Sequence, residues 1–173
     1  MSTTVSRFAG SPRQLWLSTV VRVVLAAVLL SAGGLKMLDP TQAVRAVQAY
    51  QLLPPGVDSL VGYGLPLLEI ALGILLLLGL AVRWTAIAAG ILMVVFISGI
   101  VSVWVRGLSI DCGCFGGGGL VSRNGLTARY TAEILRDLLF LGLASWLAVF
   151  PASRFGLDRA PAAAFTPVEE SVA

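Results

Sequence analysis

The sequence predicts an all-α, polytopic membrane protein: a four-transmembrane-helix bundle with a short amphipathic surface helix after the first crossing. Three observations carry this. Of 173 residues, 57% are hydrophobic and only 12% charged, and the mean hydropathy is +0.91. Soluble domains hold about 45–50% apolar and about 25% charged residues, so this chain has too little polar surface to face water. The apolar residues also fall into four runs, each close to the ~20 residues a helix needs to cross the hydrocarbon core. Finally, charges are almost confined to the connections between those runs.

Residues 1–14 form a polar N-terminal segment and 15–150 the four-helix membrane domain. The first crossing spans about 15–35, interrupted only by Arg22. That run is too long for a signal-peptide core and lacks an obvious cleavage site, so it is expected to be retained. From Asp39 to Leu53 the pattern changes. Asp39 suits a helix cap and Pro40 its first position, and Val44, Val47 and Leu52 give a partial apolar face, as in a helix on the membrane surface. The second and third crossings, about 60–82 and 84–105, are separated only by Arg83 and must form a tight hairpin. The fourth spans about 130–150, with Glu133, Arg136 and Asp137 near its start and Pro151 closing it. Trp16, Trp84, Trp104 and Trp146 lie near the ends, where amphipathic rings favour the interface. Residues 151–173 form a Pro/Ala-rich tail expected to be flexible.

Four crossings place both termini on one side. Arg7, Arg13, Arg83, Arg154 and Arg159 lie there, against Lys36, Arg45, Arg106, Arg123 and Arg129 on the other. An even count leaves the positive-inside rule without a preference. No run of basic residues suggests nucleic acid. Histidine is absent and there are only two cysteines, which excludes a disulfide-stapled fold and a four-cysteine metal site.

Those two, Cys112 and Cys114, lie in Asp111-Cys112-Gly113-Cys114-Phe115-Gly116, which runs on into Gly117, Gly118 and Gly119. With one residue between them a disulfide is within reach, given a sharp bend that Gly113 permits. The glycine run leaves room for a partner's backbone. Three readings stand open at this point: a structural clip, a two-thiolate metal site without histidine, and a redox-active dithiol. A strained, exposed ring would be labile and catalytic. A disulfide persists on the oxidising side of a membrane, so this loop is expected outside, with both termini in the cytoplasm.

Arg22 and Glu69 lie within hydrocarbon depth, where isolated charges cost about 2.5–3.5 kcal/mol and so seek partners inside the bundle. Measured from the cysteine-loop face, Glu69 is about 14 Å deep and Arg136 about 9 Å, while Arg22 is about 10 Å from the opposite face. Arg136 is therefore the expected partner of Glu69, with Glu133 a local competitor. The pair either fixes helix register or tunes a cavity under the cysteine loop. Pro66, one turn from Glu69, is expected to loosen the second crossing.

These residues resemble the MauE/DoxX group of bacterial membrane proteins. The resemblance is carried by Arg22, Ala32-Gly33-Gly34-Leu35-Lys36, Tyr50-Gln51-Leu52-Leu53-Pro54, Leu65-Pro66-Leu67-Leu68-Glu69-Ile70-Ala71-Leu72-Gly73, the cysteine motif and Arg136-Asp137. It covers about residues 15–150. It implies a multi-pass protein of the bacterial inner membrane that acts with a secreted or membrane-anchored thioredoxin-like protein. In the methylamine system this group is linked to maturation of the disulfide-rich small subunit of methylamine dehydrogenase.

The leading functional expectation is thiol–disulfide exchange by Cys112 and Cys114, supported by Arg22, Glu69, Arg136 and Asp137. No cofactor or metal is evident; a quinone could take the electrons onward, although no motif requires one. The alternatives are a DoxX-like assembly or scaffold subunit, in a homo- or hetero-oligomer, and a small transporter.

Overall fold

The computed structural model describes residues 11–153 and 155–157. Five helices follow in order: α1 (Pro12–Leu38), α2 (Pro40–Ala49), α3 (Val57–Leu78), α4 (Val82–Val105) and α5 (Leu126–Val149). Between α4 and α5 lies a two-stranded antiparallel ribbon, β1 (Ile110–Asp111) and β2 (Gly119–Leu120), which adds a β element to the expected all-α fold.

Local chemistry sets the helix ends. Ser11 caps α1, its side chain accepting the Gln14 N–H at 3.2 Å, with Pro12 at the first position. Asp39 caps α2 by accepting the Gln42 N–H at 3.0 Å, ahead of Pro40. The expected caps of the surface helix are thus present. Its apolar face, however, buries Ala43, Val44 and Ala46 against the bundle. A Cβ on Gly62 of α3 would lie 2.6 Å from the Val44 Cα, so only glycine allows α2 to sit this close.

Among the described residues α1, α3 and α4 are long and apolar enough to cross a membrane, and they make the chain a multi-pass membrane protein. The expected fourth crossing does not reach that standard. Its helix, α5, starts earlier than expected and carries Arg129, Glu133, Arg136 and Asp137 in its first half.

The helices pair as α1 with α3 and α4 with α5. Leu25, Leu29, Leu72, Leu76, Ala89 and Leu147 meet in a common core. Small residues bring α1 and α3 together: a Cβ on Gly33 would fall 2.7 Å from the Pro66 carbonyl oxygen. Pro66 is buried inside α3 at that contact. The α3–α4 connection is as tight as the sequence requires, with Gly79 in the left-handed conformation at φ 69°. Yet α3 and α4 pack far less on each other than on α1 and α5. They diverge from the turn and leave a wedge between them.

Trp84 points outward at 72% exposure, as an interfacial ring would. Trp146 instead turns inward and donates to the Ser18 hydroxyl at 3.3 Å. The start of the tail is docked rather than loose: Gln14 donates to the Ala152 carbonyl at 3.2 Å, and the Leu157 N–H to the Leu78 carbonyl at 3.3 Å. Residues 158–173, and residues 1–10 of the polar N-terminal segment, lie outside the described residues.

Candidate functional site

The cysteine motif forms a cap over the ends of α1, α2 and α4. Ile110 pairs with Leu120 and Asp111 with Gly119, so the ribbon closes the loop at its base. Tyr130, 1% exposed, anchors it from α5. Its hydroxyl accepts the Ile110 N–H at 3.1 Å and lies 3.0 Å from the carbonyls of Leu108 and Ile110, either of which can take its proton. Tyr50, just after α2, donates to the Cys112 carbonyl at 2.9 Å. Arg106 fixes Tyr50 in turn by donating to its carbonyl.

Part of the glycine run packs against the chain's own α2, while Gly119 faces open space. Gly118, at φ 112°, passes so close that a Cβ would fall 2.4 Å from the Ala46 Cβ. Gly113, at φ 67°, makes the bend between the cysteines that the spacing demanded.

The two cysteines are unequal free thiols. Cys112 is partly exposed and Cys114 buried. The Cys114 thiol faces the Cys112 sulfur, and the Cys114 N–H points to the same atom at 3.4 Å. These donors hold the Cys112 thiol below its ordinary range, against the effect of burial. The same hydrogen bond, then burial and the adjacent sulfur, push the Cys114 thiol up. Burial likewise raises the Tyr50 phenol, so it stays a neutral donor.

Acidic groups flank Cys112. Ligand atoms of Asp111, Cys112 and Glu133 lie within 4.8 Å of one another. Cys114 is outside this trio, so the cation donor set gathered here is not the two-thiolate one considered from sequence. Arg129 pairs with Asp111 at 3.3 Å. The sequence offers Glu133 only as a competitor for Arg136; its position beside the Cys112 sulfur follows from α5 crossing under the loop.

The expected pairing of Glu69 with Arg136 is not formed. Glu69 meets Lys36 at 2.5 Å, both at most 5% exposed. Arg136 pairs with its neighbour Asp137 at 2.9 Å and lies 4.9 Å above the centre of the Phe115 ring. Arg22 donates to the Phe155 carbonyl at the other end of the bundle.

One rule explains all three. Side chains on a helix lean toward its N-terminus. Lys36, near the C-terminal end of α1, therefore leans down into the bundle toward Glu69. Arg136 sits on a helix that starts at the loop, so it leans back up to Phe115. Arg22 leans to the terminal face. Glu69 is also deeper than expected, because α3 begins at Val57, about 18 Å away at 1.5 Å per residue. The missed residue, Lys36, stood in the sequence at the end of the first apolar run; direction, not depth alone, identifies it.

Two cavities meet the cysteines. A small one of about 20 Å³ is bounded by Glu69, Asp137, Phe115 and Cys114. Glu69 Oε2 and Asp137 Oδ2 have no hydrogen-bond partner among the described residues. The larger, about 220 Å³, fills the wedge between α3 and α4 beneath α2 and is lined by Lys36, Tyr50, Phe96, Cys112 and Cys114 among others.

Residues 14–150 match the family described as Methylamine utilisation protein MauE. A protein of Paracoccus denitrificans named Methylamine utilization protein MauE is 31% identical over 140 residues, covering 79% of this chain and 69% of that protein. No solved structure matches. The matched region holds α1's Lys36, α3's Glu69, the cysteine loop and α5, and on that extent the chain belongs to the MauE family.

Proposed function

We propose that Cys112 and Cys114 exchange thiol–disulfide equivalents with a thioredoxin-like protein, in a MauE-like role in methylamine utilisation. The observation that carries the reading is the inequality of the pair. A partly exposed cysteine held toward its thiolate stands beside a buried one held as a thiol, which is the division between an attacking and a resolving cysteine.

In the oxidising direction a partner thiolate attacks the Cys112 sulfur of the closed pair. The Cys112–Cys114 bond breaks, a mixed disulfide forms, and Cys114 leaves and takes up a proton. The partner's second thiolate then attacks its own sulfur in the mixed disulfide. The partner departs as a disulfide and Cys112 as a thiolate. The reverse sequence reduces the partner by the same contacts. Glu133 lies where it can carry protons to and from Cys112.

In this reading α5 is the fourth crossing. Its Leu135, Leu138 and Leu139 are exposed outward, while Asp137 is buried and Arg136 lies against the cysteine loop. Polar residues turned inward are what a charged membrane helix requires. The termini are then cytoplasmic and the cysteine loop faces the outer side of the bacterial inner membrane, where a disulfide persists.

The test is trapping in cells. Cys114→Ser should accumulate a mixed disulfide through Cys112, and Cys112→Ser should not. Absence of a trapped partner in both variants, with function retained, overturns the exchange reading. A membrane-impermeant maleimide should label Cys112 in intact spheroplasts; labelling only after permeabilisation reverses the orientation.

A further inference from the structure

Resting on the exchange reading, we infer that the cavity between α3 and α4 binds the ring of an isoprenoid quinone, which reoxidises the Cys112–Cys114 dithiol.

The cavity holds about 220 Å³. A cavity of about 150 Å³ in another protein admits a benzene ring, so one substituted ring fits here and a nucleotide does not. The wall is almost wholly apolar, with Leu65 and Phe96 at its side. Its outer edge is formed by Leu52, Leu53, Val61 and Val95, all exposed on the bundle surface. Val61 and Val95 belong to α3 and α4, two of the membrane-spanning helices, so the opening lies toward lipid. A ligand with a long apolar tail can keep the tail in the bilayer and place its head inside.

The polar groups fit a quinone head. Lys36 lines the cavity and is a buried cation whose counter-charge, Glu69, is already in place. Its ammonium can donate to a quinone carbonyl without introducing an uncompensated charge. Phe96 lies beneath that ammonium, 5.3 Å from Lys36 Nζ to the ring centre, and Tyr50 adds a second aromatic wall where it packs on Gly99. Aromatic sides and one carbonyl-binding donor suit a flat ring. Cys112 and Cys114 complete the lining, so the electron donor borders the same space.

The step balances. The Cys114 S–H bond breaks and one S–S bond forms to the Cys112 thiolate. Two electrons pass to the quinone with two protons, one from the Cys114 thiol and one delivered from solvent by way of Glu133, giving a quinol. That sets the direction of the whole cycle: the closed pair then accepts electrons from the thioredoxin-like protein and oxidises it.

The experiment uses the full chain purified in detergent micelles, with decylubiquinone as probe. The reduced protein should convert one decylubiquinone to its quinol for every two thiols lost. The Cys112→Ser/Cys114→Ser double variant cannot exchange, yet should still gain thermal stability from decylubiquinone. Adding Leu65→Trp, or Val95→Trp at the exposed edge, should weaken that binding at least tenfold. Equal stabilisation with and without the tryptophan means that the probe partitions into the micelle or replaces a lipid chain, and overturns the inference. Wild-type protein that exchanges with oxidised glutathione but leaves decylubiquinone oxidised overturns it too, and spares the exchange reading. Loss of glutathione exchange with binding retained has the opposite meaning: the pocket stands and the exchange reading falls.

Discussion

Lys36 Nζ and Glu69 Oε1 stand 2.5 Å apart beneath the cysteine loop, in a place almost closed to solvent. This pair joins the end of α1 to the middle of α3 and, among the described residues, supplies the only positive charge on the wall of the larger cavity. Each partner makes the burial of the other tolerable, and that interdependence has a measurable consequence.

Removing one partner leaves a buried charge unpaired. Lys36→Met is expected to cost about 3–5 kcal/mol, whereas Lys36→Met with Glu69→Leu should recover most of that loss. Thermal unfolding of the single and double variants in detergent checks the difference. Equal destabilisation would show that the charges do not depend on each other.

Cys112 should react with N-ethylmaleimide at least about tenfold faster than Cys114 at neutral pH, since only the thiolate is the nucleophile and only Cys112 is held toward it. Its rate should rise with pH through a midpoint below that of an ordinary free thiol, because the Cys114 thiol and N–H stabilise its thiolate. Peptide mapping of alkylation time courses across pH reads both residues at once. A midpoint for Cys112 above that of a free cysteine contradicts the geometry of the pair.

The charges around Cys112 act in opposite directions. Glu133 disfavours its thiolate and Arg136 favours it. Glu133→Gln should therefore move the alkylation midpoint of Cys112 down in pH, and Arg136→Gln should move it up. General loosening of the loop would change rates in both variants without giving the midpoints opposite signs.

Gly118 and Gly119 separate backbone strain from packing. Their φ values, 112° and 113°, are nearly the same, but a Cβ on Gly118 meets Ala46 while one on Gly119 meets open space. Gly119→Ala should cost about 1–3 kcal/mol from its backbone conformation alone. Gly118→Ala should cost more, and Ala46→Gly should return only the excess. Unfolding midpoints of the three variants test this, with the Cys112 alkylation rate reporting whether the loop has left α2.

Much of this protein was legible in its sequence because the relevant physics is local. Apolar runs of membrane-spanning length, the Ser/Asp–Pro helix starts and a bend at Gly113 follow from neighbouring residues alone. The sequence also singled out Cys112 and Cys114, since no other residues offered thiol chemistry. What it could not decide depended on which way side chains lean and which backbones touch. Helix direction gave Glu69 to Lys36 and turned Arg136 toward Phe115, although depth favoured the reverse. The close approach of α2 to Gly113 and Gly118 made part of the glycine run an internal packing surface, which the run's composition alone did not reveal. The inequality of two cysteines one residue apart arises from burial, which no spacing encodes. The wedge between α3 and α4 exists because each packs on a different neighbour, so the cavity beside the dithiol is a product of the tertiary structure alone.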